Sequence, residues 1–142
     1  MSSMSDRFID TNVFVYMFDR TDGRKRSIAT EIVTSAIREA SAVISHQVVQ
    51  ETLNAVTRRT TPVATPEDAR EFLDQVLSPL WTIWPGIETY RSCLTLQARY
   101  GFSFYDSLIV AAALDAGCSQ LLSEDFQHGQ RIEGLTVHNP FL

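Results

Sequence analysis

Short apolar runs alternate with helical stretches along this chain, and that alternation constrains the fold more than any other feature. The strand candidates are RFID at 7–10, AVIS at 42–45, WTIW at 81–84, QLLS at 120–123 and LTVH at 135–138. Most lack a regular polar alternation, as is typical of buried parallel strands. The sequence therefore predicts an α/β fold with a central parallel sheet and helices on both faces.

Helices are predicted between these strands, with recognisable start and stop residues. Thr65 and Pro66 form a typical helix start, and Ser103 and Gly117 bracket another helix. The predicted helices cover residues 24–40, 46–59, 65–78, 87–100 and 103–117. In such sheets, ligands bind beyond the carboxyl ends of the strands, where the strand order reverses.

Length and composition set broader limits. A chain of 142 residues is expected to form one domain over 1–142, with residues 1–6 frayed. No apolar run approaches the roughly 20 residues that span a bilayer, and the start has no apolar signal-peptide core, so we expect a cytoplasmic protein without a membrane segment. The net charge of −5 argues against bulk attraction to nucleic acid, but it does not exclude a nuclease with its own acidic site.

Two acidic residues lie at the carboxyl ends of predicted strands: Asp10 is the last residue of RFID, and Asp125 follows QLLS after Glu124. Asp10 either caps the next helix or belongs to a site, since a buried carboxylate costs several kcal/mol without a partner or a metal. Asp125 is either a turn residue or a second site residue. If the first and fourth strands are neighbours where the order reverses, Asp10 and Asp125 face each other and need a cation between them.

Two further acids lie on predicted helices. Asp106 begins a helix that is apolar on all sides, so it is either a first-turn partner of Ser103 or a site residue. Glu51 points away from the apolar stripe of its own helix. This placement fits either a solvated face or a face open to a cleft, and helical periodicity alone favours the solvated face.

Four segments, taken in order, resemble the PIN-domain family, especially the VapC-like ribonuclease toxins of type II toxin–antitoxin pairs. The segments are FIDTNVFVY at 8–16, VVQETLNAVTRR at 48–59, FSFYDSLIVAAAL at 102–114 and LLSEDFQHG at 121–129. The resemblance covers almost the whole chain. It implies a three-layer α/β/α domain with a central parallel sheet of four to five strands.

The resemblance also implies a site and an activity. The family's acids fall on Asp10, Glu51, Asp106 and Asp125, which reverses the interpretation of Glu51 drawn from periodicity. They would bind Mg²⁺ or Mn²⁺ for RNA cleavage, with Asp10 and Asp106 holding the principal ion and the other two completing the cluster, directly or through water. Supporting positions fall on Thr11, Asn12, Ser123 and Glu124. Because Glu124 adjoins Asp125, the fourth acid remains open between them.

Basic and aromatic residues are candidates for binding a partner. RNA, or an antitoxin as implied by the resemblance, would contact the cations Arg20, Arg24, Lys25, Arg26, Arg58 and Arg59. A solvated surface explains the same cations equally well. Phe102, Phe104 and Tyr105 are candidates for stacking on a base or for core packing. The family further implies a homodimer.

Other functions stay open from sequence. A HAD-type phosphatase or a receiver domain needs a lysine in its pocket, and the only lysine, Lys25, follows the first helix, where it suits neither. A PIN fold that only binds RNA or protein is a second alternative. A third is a housekeeping PIN nuclease or a DNA-cleaving enzyme.

Overall fold

The computed structural model describes residues 6–58 and 62–142. Of the segment 1–6 for which fraying is predicted, only Asp6 is described, and its backbone carbonyl accepts a hydrogen bond from the Ser119 N–H at 2.9 Å. Arg59 lies outside the described residues. The strands are β1 Arg7–Ile9, β2 Ala42–Ser45, β3 Trp81–Ile83, β4 Gln120–Leu122, β5 Arg131–Ile132 and β6 Leu135–His138.

The six strands form one sheet in the order β3-β2-β1-β4-β6-β5. All neighbouring pairs are parallel except β5 and β6, which pair antiparallel. The chain first builds outward from β1 to β3 and then returns to the other side of β1. The strand order therefore reverses between β1 and β4, whose carboxyl ends share one edge of the sheet.

Seven α-helices flank this sheet in the described residues. They are α1 Thr11–Tyr16, α2 Gly23–Glu39, α3 His46–Val56, α4 Pro66–Phe72, α5 Ser78–Leu80, α6 Ile87–Tyr100 and α7 Phe104–Asp115. Helix α1 packs against α2 and α3, whereas α6 packs against α7. Right-handed crossovers place these two groups on opposite faces, because the direction of strand addition changes after β3. The three-layer α/β/α prediction is confirmed.

Local sequence signals account for most of the element boundaries. The five predicted strands are found within one residue of their expected ends, and the helix at 87–100 is found as predicted. Thr65 caps α4 by accepting from the Asp68 N–H, and Ser103 caps α7 by accepting from the Asp106 N–H. The apolar helix α7 is buried from Ser107 to Ala113, as its sequence predicts.

The structure corrects several details. The sheet has six strands rather than four to five, because β5 is a two-residue strand joined to β6 by a tight turn at Glu133 and Gly134. Strand β3 is an edge strand, and Trp84 beyond it is 60% exposed. The predicted helix at 65–78 changes to a π-helical segment over Leu73–Leu77. Helix α3 ends at Val56, so Arg58 lies after the helix and not in its last turn.

No helix in the described residues combines the length and the apolar character that crossing a membrane requires.

Candidate active site

A cleft opens at the carboxyl edge of the sheet, where the strand order reverses. Its volume is about 330 Å³. All four carboxylates identified from the sequence line it: Asp10, Glu51, Asp106 and Asp125. They come from four separate segments. The fold therefore brings together side chains that are up to 115 positions apart in the sequence, at residues 10 and 125.

Asp10 lies at the bottom of this cleft and is only 3% exposed. It directly follows β1, and its N–H donates to the Leu122 carbonyl of β4 at 3.0 Å. Its carboxylate accepts from the Thr11 N–H at 2.7 Å and from the Ser123 hydroxyl at 2.8 Å. Asp10 therefore caps α1 and faces the cleft, so the two interpretations of this residue hold together.

Burial, more than anything else, raises the pKa of Asp10, to about 7. The hydrogen bonds from Ser123 and Thr11 act in the opposite direction, whereas the nearby charges of Asp125 and Glu51 raise this pKa further. A carboxylate held in this way is poorly compensated when ionised. It is the type of buried acid that a cation would stabilise.

Glu51 lies on a face open to the cleft, so the solvated face that periodicity favoured is wrong and its alternative is found. The side chain is half-buried on α3 and accepts from the Thr11 hydroxyl at 2.8 Å. Its other oxygen accepts from Gln47 Nε2 at 3.2 Å. Helix α3 starts directly after β2, and this start carries Glu51 to the edge where Asp10 lies.

The neighbours Glu124 and Asp125 have different surroundings. Asp125 is an exposed cleft residue that accepts from Asn12 Nδ2 at 2.9 Å. Glu124 accepts from Lys25 Nζ at 2.8 Å and from the Tyr16 hydroxyl. Lys25 also lies over the Tyr16 ring, 4.6 Å from its centroid. Of the two candidates for the fourth acid, only Asp125 lines the cleft.

These surroundings shift the pKa values of the two acids in opposite directions. Although the residue as a whole is exposed, partial burial of its carboxyl group in the cleft raises the pKa of Asp125, and the charges of Asp106 and Glu124 raise it further, against the hydrogen bond from Asn12. Burial also acts to raise the pKa of Glu124, but the bonds from Lys25 and Tyr16 outweigh it and lower the pKa.

The carboxylates share a cleft rather than a formed coordination shell. In residues 6–58 and 62–142, no group of three His, Cys, Asp or Glu side chains is arranged so that it could hold a metal ion. The donor set nevertheless suits Mg²⁺ or Mn²⁺, because all its charged members are hard carboxylate oxygens. Mg²⁺ usually takes one or two carboxylates and keeps several waters, so a complete protein cage is not required.

The basic residues are spread over the cleft and its surroundings. Arg58 lines the cleft, and it also lines an adjoining pocket together with Arg20. Arg26 donates to the Asp19 carbonyl at 3.0 Å. Lys25 is held by Glu124 and Tyr16 outside the acidic cleft, which agrees with discounting the lysine-dependent phosphatase and receiver domain.

Sequence reasoning missed two residues that orient the acids. Gln47 lies one turn before Glu51 and donates to it, and the spacing of four residues on one helix was a signal for this contact. Tyr16 binds Glu124 at the end of α1. Nothing in the local sequence indicates that second contact, because it joins residues 16 and 124.

Fold and site together define a class: a doubly wound α/β domain with an acidic cleft at its switch point. The PIN domain family model matches residues 7–131. The chain therefore belongs to the PIN domain family, and the resemblance seen in the sequence is confirmed. Comparison with curated protein sequences found no match.

Solved structures of similar fold include several toxin–antitoxin proteins. VapBC2 from Rickettsia felis, bound to a promoter DNA fragment, aligns with a TM-score of 0.68 at 19% identity, covering 94% of this chain and 97% of that one. VapC20 from Mycobacterium tuberculosis, a toxin that cleaves the sarcin–ricin loop, aligns with a TM-score of 0.64 at 18% identity, covering 84% and 89%. FitAcB from Neisseria gonorrhoeae aligns with a TM-score of 0.63 at 16% identity, covering 95% and 98%. At these identities the likeness establishes a common fold.

Proposed function

We propose that this protein is a metal-dependent endoribonuclease that acts in the cytoplasm as the toxin of a toxin–antitoxin pair. The observation that carries the proposal is the convergence of four carboxylates on one cleft at the switch point of a PIN domain. Similarity of fold to VapC20 and to toxin–antitoxin complexes supports the same assignment.

The carboxylates have distinct roles in this proposal. Asp10 and Asp106 hold the principal Mg²⁺ or Mn²⁺ ion, and Glu51 and Asp125 complete the cluster, directly or through water. A bound ion of this kind supplies Lewis-acid activation of water and charge stabilisation at the phosphate. Without it, four carboxylates would repel the anionic phosphodiester.

The surrounding polar residues hold these carboxylates in place. The Thr11 hydroxyl orients Glu51, the Asn12 amide orients Asp125, and the Ser123 hydroxyl orients Asp10. Ser123 also accepts from the Asp125 N–H at 3.1 Å, so one hydroxyl joins the two acids. Glu124 has a structural role, anchoring α2 to the loop after β4 through Lys25.

RNA and the antitoxin are the proposed partners. Arg58 supplies a cation at the cleft, and Arg20 extends the positive surface into the adjoining pocket. Guanidinium groups suit bidentate contacts to phosphate and to carboxylate, so the same cations serve either partner.

A second copy of the chain is the proposed partner for α6. Exposed apolar side chains line one side of this helix, at Ile87, Tyr90 and Leu94, with Trp84 just before it. Their spacing of three and four residues makes a continuous apolar stripe. Leu94→Glu should shift a homodimer to monomer in analytical ultracentrifugation, and an unchanged dimer would exclude this face.

The decisive experiment is an RNA cleavage assay with purified, antitoxin-free protein. Structured RNAs, including tRNA, are incubated with Mg²⁺, with Mn²⁺ and with chelator, beside the Asp10→Asn variant. Asp74→Asn is the matched control, because Asp74 is exposed and lies outside the cleft. Metal-dependent cleavage that is lost only in Asp10→Asn supports the proposal. RNA binding without any cleavage would favour a non-catalytic PIN module.

A further inference from the structure

A second pocket adjoins the acidic cleft, and the proposed metal site gives it no role. Its volume is about 280 Å³. The start of α3, the loop before α6 and the first turns of α7 supply its walls. The side chains that matter below are Ser45, His46, Gln47, Gln50 and Tyr105. Gln47 lines both the pocket and the cleft, so the two spaces lie side by side.

One tyrosine ring in this pocket is free for a ligand. Tyr105 is 63% exposed, whereas Tyr90 lies on the face of α6 assigned above to a second copy of the chain. Tyr105 precedes Asp106, whose carboxylate lines the cleft, so the ring lies one residue away from the proposed chemistry. Exposed aromatic rings beside a phosphate site are the usual platform for an unstacked base of single-stranded RNA.

Three residues that line the pocket carry buried polar atoms without partners. Within the described residues, Ser45 Oγ, His46 Nδ1 and Gln47 Oε1 are buried and form no hydrogen bond. Such atoms are uncommon, because an unsatisfied buried polar group costs free energy. Ser45 precedes α3 as its N-cap residue, yet its hydroxyl does not cap the helix.

The hydrogen bonds of Gln47 determine the orientation of its amide. Nε2 donates to Glu51 at 3.2 Å and to the Tyr105 carbonyl at 3.1 Å, and both of these partners are acceptors. Oε1 is therefore the free acceptor. A nucleobase presents N–H donors and acceptors on its edges, together with a flat face, and so complements the exposed Tyr105 ring and the polar side chains that line this pocket.

We infer that this pocket binds the base of the nucleotide next to the scissile phosphate, with Tyr105 stacked on that base. The inference rests on the proposed ribonuclease function, because Gln47 and Asp106 connect the pocket to the carboxylate cleft. The pocket then selects RNA in which this nucleotide is unpaired and turned out of its stack.

The test measures RNA binding separately from cleavage. Short single-stranded RNAs, intact or with one abasic nucleotide at each position in turn, are titrated in fluorescence anisotropy with Ca²⁺ in place of Mg²⁺, so that a hard cation still neutralises the carboxylates. The proteins are wild type, Tyr105→Ala and Tyr105→Phe, and Gln50→Ala serves as a second pocket variant. We expect base removal at one position to weaken wild-type binding about tenfold. Tyr105→Phe should behave similarly, since it keeps the ring.

In Tyr105→Ala, the same abasic RNA should bind no more weakly than the intact RNA. Independent, additive losses from the variant and the abasic nucleotide would overturn the pocket assignment. So would equal binding of all abasic RNAs by the wild type, even where metal-dependent cleavage persists. Selective loss at one position without any cleavage would instead support the pocket and contradict the nuclease. Circular dichroism and thermal melting verify that the exposed Tyr105 can be replaced without unfolding.

Discussion

Two groups of charged side chains lie at the same edge of the sheet, and they are balanced in opposite ways. In the group formed by Lys25, Tyr16 and Glu124, the carboxylate meets an ammonium at 2.8 Å and the pKa of Glu124 falls below its usual range. In the cleft, burial raises the pKa values of Asp10 and Asp125, and the neighbouring acids raise them further. The first group is complete within the protein, whereas the second is left short of positive charge. That difference separates a structural ion pair from a site for a ligand.

The largest effect is expected from Asp10→Asn. Cleavage should fall by at least about 1,000-fold, because the buried oxygen at the bottom of the cleft would no longer carry charge for the ion. Initial rates on one RNA with saturating Mg²⁺ measure this loss. Asp74→Asn should keep the wild-type rate, and a turnover of Asp10→Asn that matches the wild type in folded protein would refute the assignment.

The second largest effect is expected in the pH dependence of stability, which should distinguish the acids of the cleft from the Lys25–Tyr16–Glu124 group. Because the folded pKa of Asp10, about 7, lies above its unfolded value, folded protein keeps a proton that unfolded protein has lost. This contribution is present below about pH 4 and is lost as the pH rises through about 7. It amounts to at most about 4 kcal/mol. Urea unfolding in chelator, from pH 4 to pH 8, should show the decline.

Asp10→Asn should flatten this pH profile, and at pH 8 the metal-free variant should be more stable than the wild type. Added Mg²⁺ should reverse the trend in the wild type, because the metal binds the ionised carboxylate. A wild-type profile that stays level from pH 4 to pH 8 would contradict the poorly compensated state of Asp10.

The adjacent acids provide the third contrast. Asp125→Asn should lower cleavage about 100-fold with little change in the unfolding midpoint, since Asp125 is exposed and lines the cleft. Glu124→Gln should keep cleavage near the wild-type rate and lower the unfolding midpoint, because it removes the charge that meets Lys25. Rates and thermal melts of both variants decide the matter, and the opposite pattern would make Glu124 the fourth acid.

The smallest effect is expected at Thr11. Thr11→Val removes the hydroxyl that holds Glu51 and should lower cleavage about tenfold. Thr11→Ser keeps the hydroxyl and should retain most of the rate. Metal titrations of both variants locate the cause: a weaker apparent Mg²⁺ affinity in Thr11→Val alone supports orientation of Glu51, and equal affinities would argue against it.

Much of the fold follows from signals that act over a few residues. Apolar runs, N-cap residues and the proline at the start of α4 determine where the strands and helices lie, because these preferences depend on local backbone geometry. The short strand β5 escaped prediction, since its two residues carry no pattern and depend on pairing with β6.

The candidate site also has some features that follow from local sequence and others that depend on contacts between distant segments. The sequence by itself determined that Asp10 and Asp125 follow strands and that Asp106 begins a buried helix. Only the tertiary structure decided that Glu51 turns into the cleft, because the Thr11 hydroxyl that holds it comes from another element. Only the tertiary structure gave Glu124 and Asp125 different surroundings. Glu124 contacts Lys25 and Asp125 contacts Asn12, and each of these partners lies about a hundred positions earlier in the sequence. Charge compensation depends on distances in space, which neither periodicity nor propensity records.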